Sequence, residues 1–165
     1  MATKKPLHYW LMKSEPEVFS FEDLTKASDQ ITSWEGVRNY QARNFMRDVF
    51  RKGDKVLFYH SNTDEPCVAG IAEVVREGYP DPTALDPKSR YFDPAARAKG
   101  ISPWIMVDIK AIAPFKEPVT REKLKKEPRL RDMMVLRRGS RLSVQPVTEK
   151  EFLLVCVLGE GRTKR

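Results

Sequence analysis

The sequence predicts an α+β fold, a small mixed β-barrel with short helices around it. Three observations carry that prediction. Strand-like runs outnumber what one layer of a sandwich needs, they are interspersed with short helical stretches, and those stretches do not alternate strictly with the strands. The last point disfavours a doubly wound parallel sheet. Spacing alone leaves the strand order open.

Taken in order, His8 to Met12 is aromatic and apolar and reads as a first strand, ended by Lys13-Ser14-Glu15-Pro16, where proline stops regular pairing. Ser20 with Asp23 three residues on opens a short helix. From Ser33 a loop feeds a second helix: Ala42, Phe45, Met46 and Val49 share one helical face, and Asn39 is its N-cap. Lys55 to His60 is a strand too apolar for a surface edge, Ser61 to Pro66 its turn, and Cys67 to Arg76 the returning partner. Gly70 inside that partner marks a bulge or a close approach by another group.

The next segment, Gly78-Tyr79-Pro80-Asp81-Pro82-Thr83-Ala84, reads as a stiff loop, because two prolines remove amide donors and restrict their neighbours. Asp86 to Gly100 wraps the surface with a helical turn near Ala95 to Lys99. Trp104 to Ile112 is a half-buried strand, with Ile105, Val107, Ile109 and Ala111 on one face and Met106, Asp108 and Lys110 on the other. Two short helices follow, one from Thr120 and one after Pro128 through Leu136. Ser140 to Val147 is a last strand, and Thr148 with Glu151 opens a final helix through Val157, closed by Gly159. A single domain is expected over residues 1–165, with disordered ends at 1–6 and 161–165.

Composition narrows the class of function. No apolar run approaches the ~18 residues of a membrane span. Residues 1–6 are basic but lack the apolar segment of a secretory signal. Cys67 and Cys156 are isolated, and His8 and His60 form no ligand pattern with them, so neither a structural metal nor a disulfide framework is expected. No phosphate-cradling Gly-rich loop or dinucleotide fingerprint supports a nucleotide cofactor. The expected location is cytoplasmic, or the nucleoid or nucleus if DNA is the ligand. Charge points to a polyanion: the net charge is +7, and residues 116–141 hold ten Lys or Arg against four Asp or Glu. Such a local excess neutralises phosphates and steers nucleic acid.

Several separated motifs then combine in one order: Tyr9 to Pro16, Trp34 to Asn44, Phe58-Tyr59-His60-Ser61, Tyr79 to Ala84, and Ser140 to Pro146. Together they resemble the EVE domain over nearly the whole chain. The resemblance implies a PUA-like fold, related to the YTH domain that reads methylated adenine in RNA, and a reader of modified bases in DNA or RNA.

A base inspected this way must leave its stack and enter a pocket with flat walls and a few donors and acceptors. Trp34 is the first wall in this reading, with Tyr59 and the Tyr79-Pro80 loop as second walls. Ser14, Asn39, Ser61 and Asp108 supply polar readout, and Lys13, Arg43 and Arg141 hold phosphates. Each has an ordinary alternative: Trp34 as a core anchor, Ser14 and Asn39 as local caps, Arg43 as a brace for Tyr40 or a loop carbonyl. Two rival functions stand beside the reader. One is an amidohydrolase of the related ASCH type using Lys13 with Glu15, or His60 with Ser61. The other is a basic module that binds RNA by shape alone.

Overall fold

A computed structural model describes residues 6–161, so the disordered ends expected at 1–6 and 161–165 lie almost wholly outside the described residues. Six strands form one mixed sheet. They are β1 (Tyr9–Ser14), β2 (Ile31–Ser33), β3 (Lys55–His60), β4 (Cys67–Pro80), β5 (Ile105–Thr120) and β6 (Val144–Val147), paired in the order β2-β5-β4-β3-β1-β6. Only β1 and β3 run parallel. A parallel pair needs a crossover, and here it carries α1 (Phe21–Lys26), β2 and α2 (Tyr40–Asp48). Among the described residues no ladder joins β2 to β6, so the mixed β architecture is not closed by hydrogen bonds at that seam.

Alternation along β1 and β3 divides the core in two. Trp10, Met12, Val56 and Phe58 enter one cluster with Trp34, Val37, Ala42, Met46, Val107 and Ile109. Leu11, Leu57 and Tyr59 enter a second with Phe115, Leu124, Leu130, Phe152 and Val155. Both faces of the central strands are therefore buried, which explains the unbroken apolar runs Trp10 to Met12 and Val56 to Tyr59. Trp10 stacks on Phe50 at 4.3 Å and donates from Nε1 to the fully buried Asp54, 2.9 Å away.

The short helices begin where side chains satisfy their free amides. Ser20 and Asp23 form a capping box on α1, and Thr148 and Glu151 form another on α5 (Glu149–Gly159). Asn39 caps α2, and Thr120 caps α4 (Arg121–Lys126). Asp93 caps α3 (Pro94–Lys99), which ends at Gly100 in the left-handed region.

Four expectations are corrected. Gly78, Tyr79 and Pro80 end β4 rather than forming a loop, and Pro82–Leu85 is a 3-10 turn. Beyond Glu73 the strand pairs only with β5, so Pro80 stands at the strand's end, where its missing donor removes no interior ladder bond. β5 continues to Thr120, past Pro114 and Pro118, with a register shift beside the Gly70–Pro114 pair. Pro128–Leu130 and Met134–Leu136 are two 3-10 turns instead of one helix. Gly159 is the last residue of α5 rather than the cap beyond it, and a Cβ there would come within 2.4 Å of the Phe115 ring. Gly70 behaves as expected: the register shifts beside it, and the Phe21 ring leaves no room for a Cβ.

Candidate nucleic-acid interface

The end of β1 and the loop joining β2 to α2 face each other across a cavity of about 520 Å3. That is the size range of small-molecule sites. Lys13, Ser14, Trp34, Asn39, Ser61 and Arg141, six of the residues expected at the site, line it.

The loop is built from a buried carboxylate. Asp81 has no exposed surface and accepts from the Gly36 amide at 2.9 Å, from the Thr83 amide at 2.9 Å and from Thr83 Oγ1. Arg38 Nη1 adds an ion pair at 3.1 Å. Burial works against the Asp81 charge, but these bonds outweigh it and hold its pKa below the ordinary carboxylate value. Arg38 also donates from Nη2 to the Tyr91 carbonyl at 2.7 Å and to Thr83 Oγ1 at 3.2 Å, with its guanidinium 5.4 Å from the Trp104 ring centre. Gly36 has φ +85°, and a Cβ there would meet the Tyr91 ring at 2.6 Å. Glycine is thus required twice over, for conformation and for close approach.

Three aromatic residues, Phe19, Trp34 and Tyr91, line the cavity. Trp34 is fixed by its backbone amide, which donates a hydrogen bond to the Val107 carbonyl at 2.7 Å, and its ring meets Phe58 edge-on at 5.4 Å. Only 8% of Trp34 is exposed, so it is at once a core anchor and a wall. Tyr91, half-buried, lines the cavity from the braced side, and Phe19 is the third aromatic lining residue.

The polar residues also serve two ends. Ser14 Oγ donates to the Phe19 carbonyl at 2.5 Å, and Asn39 Oδ1 accepts from the Ala42 amide at 3.0 Å. The Asn39 amide nitrogen keeps no protein acceptor among the described residues. Glu35, at the cavity edge, is pushed up in pKa by burial and by the nearby Asp81 charge, with Arg38 opposing. Lys13 is half-buried; desolvation lowers its pKa, and the neighbouring Arg121 lowers it further.

Five expected residues lie outside the cavity. Tyr59 points into the second core cluster, because its neighbours in β3 alternate between faces. Tyr79 donates to Asp108 at 2.5 Å, and Ser33 Oγ lies 3.0 Å from the same hydroxyl, so this pair buttresses Ser33 from behind. Pro80 is occupied in the β4–β5 ladder, opposite Ile105. Arg43 spans the Tyr40 ring at 4.9 Å and donates to the Pro103 carbonyl at 3.0 Å, the bracing alternative. Conversely, Arg38, Asp81 and Tyr91 were given no role by sequence reasoning. Arg38 and Asp81 lay within two of the quoted motifs, but Tyr91 sits in a polar stretch without periodicity.

Of the groups weighed for an enzyme, Lys13, Glu15 and Ser61 line the cavity, and His60 does not. His60 Nε2 accepts from the Phe21 amide at 3.0 Å, and burial lowers its pKa against a weaker opposing effect of Asp23. Glu15 accepts from Asn62 at 2.6 Å. Among the described residues there is no group of three His, Cys, Asp or Glu side chains placed to hold a metal, and no helix is long and apolar enough to cross a membrane.

Comparison with known proteins agrees with this architecture. Thymocyte nuclear protein 1 of Gallus gallus is 42% identical over 171 residues, covering 93% of this chain and 69% of that protein. A structure of a hypothetical protein from Leishmania major superposes with TM-score 0.87 at 51% identity, covering 94% and 96% of the two chains. The crystal structure of human THYN1 protein in complex with 5-methylcytosine containing DNA superposes with TM-score 0.86 at 38% identity, covering 96% and 99%. The EVE domain pattern matches residues 8–158, and the chain belongs to the EVE domain family.

Proposed function

We propose that this chain binds nucleic acid and reads a modified base, a modified cytosine in the first instance, flipped into the cavity between Trp34 and Tyr91. The carrying observation is a cavity large enough for a base, lined by the aromatic rings of Trp34, Tyr91 and Phe19, with the Asn39 amide nitrogen free to donate and cations at its edge. The 5-methylcytosine DNA in the human THYN1 complex supports the choice of ligand. In this reading Trp34 and Tyr91 wall the base, Ser14, Asn39 and Ser61 meet its edge, and Lys13 and Arg141 hold backbone. Tyr59, Tyr79, Pro80, Asp108 and Arg43 act at most through the frame.

Binding without turnover is favoured, since His60 and Glu15 are tied to the backbone amide of Phe21 and to Asn62. The test is fluorescence anisotropy at one salt concentration, using single- and double-stranded oligonucleotides with plain, 5-methylated or hydroxymethylated cytosine or methylated adenine. Mass spectrometry of the recovered strands accompanies it. Preference for a modified cytosine, weakened in Tyr91→Ala and with masses unchanged, is the expected result. Equal binding to all strands by both proteins would replace the reader with a shape-only basic module, and a mass change would make the chain an enzyme.

A further inference from the structure

A second depression, of about 340 Å3, adjoins the base cavity, and Lys13 and Ser61 line both. Its other polar lining residues are three cations, Arg121, Arg137 and Arg138, and the neutral Tyr59, Asn62 and Ser140. No Asp or Glu lines it, and among the described residues none of its four cations is in an ion pair. The arrangement is held from the backbone. The Arg121 amide donates to the Pro66 carbonyl at 2.8 Å, and the buried Gln145 ties down the Leu142 carbonyl at 2.8 Å.

Gathering like charges around a half-buried lysine is unfavourable unless an anion completes the set. The burial of Lys13 and the repulsion from Arg121 show that cost in this chain. A buried carboxylate is the usual protein solution, and Asp81 supplies one for Arg38 on the opposite side of the cavity. The basin has none.

Resting on the reader proposed above, we infer that this basin is the phosphodiester track on one side of the flipped nucleotide. Lys13, common to both depressions, meets the phosphate of the inserted nucleotide, while Arg121, Arg137 and Arg138 take the next one or two. An acidic peptide would satisfy the charges, but it gives no reason for the basin to share two residues with a base-sized cavity. The track is one-sided. Across the cavity, Arg38 is committed to Asp81 and Tyr91, and Arg90 lies over the Tyr91 ring.

The test uses short single strands carrying one 5-methylcytosine, extended by three nucleotides on the 5′ side only or on the 3′ side only. Wild type is compared with Arg137→Gln/Arg138→Gln, two exposed positions, and with the equal-charge control Arg131→Gln/Lys150→Gln, which lies on a different groove beside α5. Extension on one side is expected to tighten wild-type binding about tenfold and extension on the other to add little. The basin variant loses that gain. Its salt slope falls in magnitude by about 1.4, from about 0.7 for each of two phosphates on a single strand. The ratio of methylated to plain affinity stays as in wild type.

Equal gains from both sides, an equal loss in the control, or an unchanged basin variant would overturn the track. Stronger inhibition by a poly-glutamate peptide than by a plain oligonucleotide of matched charge would also overturn it. Loss of methyl preference in every protein, wild type included, would instead reject the base pocket, and the salt slopes would still decide whether the basin carries phosphate.

Discussion

Arg38 lines the base cavity and Arg137 the adjoining basin, and the two are placed in opposite ways. Arg38 is half-buried and spends its donors on Asp81, Thr83 and the Tyr91 carbonyl. Arg137 is exposed, as is Arg138, and neither meets a carboxylate. The first wall is architecture, in which a matched charge network holds the Gly36 turn and the Tyr91 ring. The second presents unmatched charge, which in the proposed reading is left for a phosphate ligand. A guanidinium's partners, more than its distance from a cavity, tell which kind it is.

That contrast predicts where mutations act. Asp81→Asn should cost about 3 kcal/mol of stability, because it strips the charge that Arg38 faces and weakens the bonds to two backbone amides. Urea denaturation would show it, and a loss below 1 kcal/mol would mean the wall is not held this way. Gly36→Ala should cost about 2 kcal/mol, combining an unfavourable positive φ with collision against Tyr91. Its companion, Tyr91→Ala/Gly36→Ala, should recover part of that cost by removing the collision.

On the ligand side, Tyr91→Ala is expected to weaken binding of a methylated strand by one to two decades, from the ~1 to 3 kcal/mol of a stacked base. Trp34→Ala is a poorer probe. With 8% exposure and contact to Phe58, its loss opens the core and is expected to lower stability by about 3 kcal/mol. Trp34→Phe, measured for both affinity and urea midpoint, separates wall from anchor. The basin pair Arg137→Gln/Arg138→Gln should leave stability within about 0.5 kcal/mol of wild type or raise it slightly, by relieving repulsion.

The smallest effect concerns pH. His60 is held neutral as the acceptor of the Phe21 amide, and its pKa in the fold lies below the ordinary histidine value. The unfolded chain therefore takes up a proton first as pH falls. The stability contributed by neutral His60 is fully present above about pH 6.5 and declines as pH drops toward the folded value. His60→Gln, which can still accept the amide bond, should flatten that part of the stability curve.

Much of the fold was legible because its signals are local. The capping boxes at Ser20 and Thr148, the Asn39 cap and the alternation from Ile105 to Ala111 each join residues only two to a few positions apart, and all are present. The proline-rich segment misled, since its reading as a loop ignored that β4 outruns β3 and can end in a proline beside β5 alone. At the site, Trp34, Asn39, Ser14, Ser61, Lys13 and Arg141, all read from the quoted motifs, line one cavity. Tyr59 was assigned to the wrong side, because an apolar run buried on both faces gives no signal of which side faces which core.

By itself the sequence determined the local helices and strands, the basic character of residues 116–141 and the resemblance that places the chain in its family. Tertiary structure alone decided which arginine braces and which remains free. Arg38 lies 43 residues from Asp81 and 53 from Tyr91, and the Gly36 amide lies 45 residues from the same carboxylate. A charge network of that span has no periodicity to read. It exists only once chain closure brings its members within hydrogen-bond distance and burial makes each unmatched group costly.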